Sequence, residues 1–324
     1  MKKFFLINIA LIILGFIFLI ATNYYIDSYG VFFRKLEYQT LEPNQNYIKT
    51  RYIISNPDKF DTFLFGSSRV GSIPVEIIKK DRIYNMTYSE GIPEEWLETI
   101  SIFIEKNVKV KKILIGIDDI SFKVNGQNHS KEQMRMSYNF LEKNNLKIKE
   151  YLLVNPFTKY NKEKLKNLLK NKKTNNKNNF YLNGRFFKED LERKDLEIET
   201  DLFKHLNKKE FTKEGDYKNR KFLEKKKIYD IFKEIERICI ENNVEIIYFF
   251  NPVHKNALSF EEKKEYEKIR NEFKEIFSKN IIYDFADTEI SYNNYYWYET
   301  SHYRSNVGHR ILKRIYLENS KERR

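Results

Sequence analysis

Five short apolar runs limit what this chain can fold into: "FDTFLF" (60–65), "RIYN" (82–85), "KILIGI" (112–117), "EIIYFF" (245–250) and "NIIYDF" (280–285). Each has the length and the β-branched or aromatic content of a buried strand. Helical patterns fall between and after them. Pro93 opens one that carries Trp96, Leu97, Ile100, Phe103 and Ile104. A second carries Ile228, Ile231, Phe232, Ile235, Ile238 and Cys239, a third Tyr266, Ile269, Phe273, Ile276 and Phe277, and the last Val307, Ile311 and Ile315. Strand alternating with helix predicts an α/β fold with a parallel sheet covered on both faces, a three-layer α/β/α sandwich. Function is then expected at the carboxyl ends of the strands.

The N-terminus adds a separate constraint. Lys2 and Lys3 precede an apolar run from Phe4 to Ala21, which Tyr24 and Tyr25 close as an interfacial aromatic pair. The run is longer than the core of a signal peptide and no small-x-small cleavage site follows it, so residues 1–25 are expected to be an uncleaved transmembrane anchor. Arg34 and Lys35 balance Lys2 and Lys3 in a positive-inside count; the expected arrangement is a single pass with the bulk of the chain outside the cell membrane. Gly30, Pro43 and Pro57 break periodicity in residues 26–59, which reads as a tether to a domain over 60–324. An insertion at about 126–222 interrupts the alternation. Its Lys/Asn tract, "KNLLKNKKTNNKNNFYLNGRFF", reads as an exposed loop or, more sharply, as a lid over a substrate.

Composition excludes some function classes. The formal charge of +13 could favour a polyanion, but the basic residues are dispersed, and no basic helix or aromatic-interleaved strand of a nucleic-acid reader is present. No nucleic-acid partner is expected. Cys239 is the one cysteine, which rules out an intrachain disulfide or a Cys-based metal cage, and its place on an apolar helix face reads as a packed thiol. Asp118, Asp119, His254 and His302 show no recognised ligand spacing, so neither metal nor cofactor is expected.

Two stretches carry candidate chemistry. "FGSSRVG" follows the first strand, where Gly66 permits a tight exit and the serines lie at the sheet edge. Gly-Ser-Ser alone is a common way to leave a strand. "WYETSHYRSNVG" lies near the other end of the domain. Glu299 and His302 are three residues apart, a spacing that would pair them on one helical turn, with Glu299 on one ring nitrogen and a serine on the other. A serine hydroxyl needs such a base, and the base needs a group that holds its tautomer. A surface histidine with an incidental carboxylate neighbour is the rival reading.

Taken in order, the two half-motifs resemble those of the SGNH (GDSL-like) hydrolase superfamily, over roughly residues 60–318 apart from the insertion. That family has Gly-Asp-Ser after strand one and Asp-x-x-His before the last helix. "FGSSRV" matches the first block with Ser67 in place of Asp and Ser68 at the nucleophile position; "YETSHY" matches the last with Glu299 for Asp and His302 as base. The resemblance implies a flavodoxin-like parallel sheet, catalysis by Ser68, His302 and Glu299, and an oxyanion hole completed by a Gly N–H of the second block and an Asn side chain of the third. "YNMTYSEGIP" offers Gly91, with Asn85 on the preceding strand. "LIGIDDISF" has Asp118 where an Asn donor is expected, and an ionised carboxylate cannot donate to an oxyanion. Asp118 and Asp119 could instead orient Arg69, bind substrate or cap the following turn. Asn251 and His254, after the fourth strand, read either as a turn or as a wall against substrate.

An anchored domain with "GSSR" is similar to exported acyl-transfer proteins of bacterial envelopes, those of alginate O-acetylation and teichoic acid D-alanylation. The resemblance implies serine-dependent acyl transfer on an extracytoplasmic cell-envelope glycan, with a multi-spanning membrane O-acyltransferase as partner. An SGNH carbohydrate esterase and a non-catalytic envelope scaffold are the alternatives.

Overall fold

In a computed structural model, described over residues 1–32, 36–39, 42–143, 145–173, 183–185, 199–212 and 220–322, five parallel strands form one sheet. They are β1 (Thr62–Gly66), β2 (Ile83–Asn85), β3 (Lys112–Ile117), β4 (Glu245–Phe250) and β5 (Ile281–Asp284), in the order β2-β1-β3-β4-β5. All five expected strands are present. The order reverses between β1 and β3, a doubly wound topology whose switch point lies beyond the carboxyl end of β1.

Alternation along the strands divides the core in two. Phe63, Phe65, Ile113, Ile115, Tyr248 and Phe250 pack with the helices Pro93–Glu105, Lys225–Glu241 and Phe260–Ile276. Leu64, Leu114, Ile247 and Phe249 face the opposite way and pack with the helix Ser305–Glu322 through Val307, Ile311 and Ile315. Period two in a strand and a 3.6-residue stripe on a helix produce this division directly. Each side chain taken fully out of water contributes about 1.5–3 kcal/mol before conformational entropy is set against it. Cys239 lies in the first core, where burial pushes its thiol up to about 12. That is the condition of an inert, packed cysteine.

The chain divides into two compact units. One comprises residues 52–127 and 178–324 and contains the sheet; the other comprises 1–51 and 128–177. In the second, the N-terminal helix Lys2–Ile26 contains an 18-residue stretch with a mean hydropathy of 3.0. Its 25 residues reach about 37 Å at about 1.5 Å per residue, enough for a ~30 Å hydrocarbon core. The region expected to be an irregular tether contains the helix Gln45–Ile54. The buried residues around it are largely polar: the Asn44 amide donates to the Met136 carbonyl and the Tyr151 hydroxyl, and the Asn46 amide to the Arg135 carbonyl. Lys164 donates to the Asp27 carbonyl and to Gln39 Oε1, each at 2.7 Å. Arg34, Lys35 and residues 174–182 and 186–187 of the Lys/Asn tract lie outside the described residues.

Candidate active site

At the end of β1 the chain turns into a 3-10 helix, Ser68–Ser72. Ser67 caps it: its hydroxyl accepts from the Arg69 N–H at 3.3 Å and donates to Asp118 Oδ2. Capping leaves Ser67 buried and Ser68, the next residue, half-exposed at the sheet edge. Among the described residues the Ser68 N–H, at the first position of the turn, has no hydrogen-bond partner. First-turn N–H groups are left open in this way and suit a developing negative charge.

His302 arrives from the far end of the chain. Trp297 and Tyr303 form an antiparallel bridge, and the Tyr298 N–H donates to the His302 carbonyl at 2.9 Å, so residues 297–303 make a closed turn rather than the helical turn expected from the spacing. The turn is fixed from behind. Trp297 Nε1 donates to the Ile290 carbonyl at 2.8 Å and the Tyr303 hydroxyl to Asn251 Oδ1 at 2.9 Å. Gly308 lets the following helix lie directly against the segment after Ser68, since a Cβ there would stand 2.8 Å from Ile73 Cα.

These contacts bring Ser68, His302 and Glu299 together. Ser68 Oγ is 2.8 Å from His302 Nε2, and Glu299 Oε1 is hydrogen-bonded to His302 Nδ1. The second carboxylate oxygen, Glu299 Oε2, accepts from the Ser301 N–H at 2.7 Å. With the carboxylate holding the proton on Nδ1, Nε2 is left as an acceptor for the serine hydroxyl. Burial acts to raise the Glu299 carboxyl, but the hydrogen bond and charge of His302 and the Ser301 N–H more than offset it and hold the group below its ordinary range. The carboxylate is therefore ionised at neutral pH. Three groups so arranged can draw the serine proton onto the imidazole and stabilise the imidazolium that results.

The remaining residues that the sequence singled out are placed otherwise. Arg69 is buried, with Nε donating to the Ser301 carbonyl at 3.1 Å and Nη1 paired with Asp119 and 3.8 Å from Asp118. Asp118 caps the turn Asp119–Phe122 through the Ile120 N–H at 3.1 Å and accepts from Ser67. Burial raises the Asp118 carboxyl, with the Asp119 charge adding and Arg69 opposing; in Asp119 burial is outweighed by Arg69 and Lys123, which hold it low. Both carboxylates thus orient Arg69 and the turn, and neither reaches the surface.

Asn85 is fully buried beneath the Ser68–Ser72 turn, donating to the Val70 carbonyl at 2.9 Å and accepting from the Thr87 N–H and hydroxyl. Gly91 abuts β1, where a Cβ would meet the Gly66 carbonyl at 2.7 Å, but its N–H points to the Tyr88 carbonyl at 3.3 Å. Asn251 is enclosed as the acceptor for Tyr303. His254 stacks on Phe211 and meets Trp297 edge-on, with its Nε2 on Asn294 Oδ1 at 2.9 Å. Since its Nδ1 accepts from the Asn256 N–H, the ring is neutral, in keeping with the downward push of burial on its pKa. His254 also lines a cleft with Tyr266, Arg270 and Ser291, and that cleft includes none of Ser68, His302 and Glu299. Among the described residues no three His, Cys, Asp or Glu side chains converge on a metal-sized site.

Sequence reasoning missed the support beneath the site. Asp119 also meets Lys123 at 3.4 Å, and Lys123 donates to Glu262, the capping-box residue of the helix Phe260–Ile276, at 2.7 Å. Arg185 donates to the Ser72 carbonyl at 3.0 Å and to Ser305 Oγ at 2.7 Å, joining the Ser68–Ser72 turn to the start of the last helix. No family model matches the chain, and no curated protein matches its sequence.

Proposed function

We propose that the protein is a membrane-anchored serine acyltransferase of the SGNH type, a three-layer α/β/α domain that modifies an extracytoplasmic cell-envelope glycan. The observation that carries this reading is the 2.8 Å approach of Ser68 Oγ to His302 Nε2, with Glu299 on the opposite ring nitrogen. Supporting it are the order of the two half-motifs, the doubly wound sheet and an N-terminal helix long and apolar enough to span a bilayer.

In the first half-reaction Ser68 Oγ attacks the acyl carbonyl and its proton passes to His302 Nε2. The oxyanion forms opposite the Ser68 N–H; as the carbonyl reforms, the C–O or C–S bond to the donor breaks and the leaving group takes the proton from His302. In the second, a sugar hydroxyl gives its proton to His302 and attacks the seryl ester; as the seryl C–O bond breaks, Ser68 Oγ takes that proton back and the acylated glycan leaves. Water in place of the sugar gives the esterase. Asp118, with its role beneath Arg69 and Ser67, is no argument for an inactive scaffold merely because it replaces Asn.

The test is exposure of the full-length protein to a serine-reactive fluorophosphonate, beside Ser68→Ala. Adduct on the parent and none on the variant is expected; equal labelling of both, or of neither, overturns the reading. Partition of a preformed acyl-enzyme between water and an oligosaccharide acceptor then separates esterase from transferase.

A further inference from the structure

The unit containing the N-terminal helix exposes a second apolar element where that helix ends. Asn23, one turn before Ile26, donates both amide hydrogens, to the carbonyls of Leu152 and Val154, each at 2.8 Å. These bonds fix Leu153 at the level of Asn23 along the helix. Leu153 is 37% exposed, and its neighbours Ile148 and Phe157 are 58% and 68% exposed. Three large apolar side chains on one short segment are costly in water.

Their level along the helix says what covers them. If Lys2–Ile26 spans a bilayer, the run from Phe4 to Ala21 fills the hydrocarbon and Tyr24 and Tyr25 lie at the headgroup boundary. Leu153, tied to Asn23, lies at that boundary as well. The lysines on either side, Lys149 and Lys159, are exposed, and long basic side chains at such a depth extend their ammonium groups to the headgroups.

We infer that the segment from Ile148 to Phe157 inserts its apolar side chains into the bilayer beside the N-terminal helix, as a second membrane attachment. A single helix leaves what it carries free to swivel about the helix axis; a lateral contact at the interface fixes the rotation of this unit. The inference rests on the helix being a span and does not depend on the acyl chemistry.

The test uses the full chain in vesicles of phosphatidylglycerol and phosphatidylcholine, the latter brominated near the carboxyl or near the methyl end of its acyl chains. Trp96 and Trp297 are both buried, so the parent supplies a fixed background. Leu153→Trp and Phe157→Trp should each lose most of their added emission to the carboxyl-end bromines and less to the methyl-end bromines. Phe16→Trp, within the helix, should be quenched most by the methyl-end bromines. Quenching of Phe16→Trp without quenching of the other two overturns the inference and leaves the span; it is also the result if another membrane protein, absent from these vesicles, covers the segment. Absence of quenching in all three overturns both. Fluorophosphonate labelling of the same samples reports on the serine chemistry separately.

Discussion

Arg69 Nε donates to the Ser301 carbonyl at 3.1 Å, so the residue after Ser68 holds the loop that carries His302. The same guanidinium lies between two buried carboxylates, which fixes its orientation. Its removal should act on stability and on rate by separate routes. Arg69→Met leaves Asp118 and Asp119 with less compensation and should destabilise by about 3–5 kcal/mol. Arg69→Lys keeps the charge but cannot make the same fork of contacts, so it should melt closer to the parent and yet label more slowly with fluorophosphonate. Melting temperatures and labelling rates of the two variants test this; equal labelling by Arg69→Lys and the parent would remove Arg69 from any positioning role.

Glu299 holds the proton of His302 on Nδ1. Glu299→Gln keeps the size but not the charge, and should slow labelling by about 10²–10⁴-fold, as loss of an orienting carboxylate does. Labelling rates at a single neutral pH are sufficient to measure it.

The same pair should have a pH signature in stability. The folded carboxyl lies below its ordinary value of 4.5, so its contribution is present in full above that value and is lost as pH falls through the lower, folded one. The difference in melting temperature between the parent and Glu299→Gln should be constant from neutral pH down to about 5 and close only in stronger acid. A difference that closes between pH 7 and 6 would contradict the assignment.

Gly308 has a packing reason that outweighs helix propensity. Ala is worth about 1 kcal/mol more than Gly inside a helix. Here its Cβ would press on Ile73 Cα at 2.8 Å and on Pro74 Cδ at 3.0 Å. Gly308→Ala should therefore destabilise by about 1–3 kcal/mol and slow labelling, because the helix it displaces follows directly from the His302 turn. Urea denaturation checks the first effect, and a stabilised variant would show that the contact yields.

Lys49 gives the other unit a dependence of the same sense in a higher pH range. Burial pushes its ammonium down to about 7, with Glu42 partly opposing. Between that value and its ordinary 10.5 the unfolded chain binds the extra proton, so stability should rise with pH from 7 upward. Amide hydrogen exchange of the helix Gln45–Ile54 at pH 7 and 9, after correction for intrinsic rates, should show greater protection at the higher pH, and Lys49→Met should abolish the difference.

The strands were legible because a buried parallel strand is a continuous apolar run, and each was bounded by polar or Gly/Pro residues. Ser68, His302 and Glu299 could be singled out because a short motif sits at each end of the domain. The support around them has no such local sign. Arg185 meets Ser72, and Lys123 meets Glu262, across more than a hundred residues. Asn251 and His254 resemble substrate residues at a strand end, but their polar atoms have internal partners, Tyr303 for Asn251 and Asn294 and Asn256 for His254. The helix Gln45–Ile54 was hidden because Asn46 and Lys49 of its buried face, and Asn44 just before it, are polar, so hydrophobic periodicity carries no signal there.

The hydroxyl and the imidazole are 234 positions apart, with β1 among the first elements of the domain to be made and the His302 turn among the last. During synthesis, then, the chain carries its serine without the imidazole beside it. The pair of groups forms only once the closing helix has seated against Ile73, so their meeting waits until the sheet is complete.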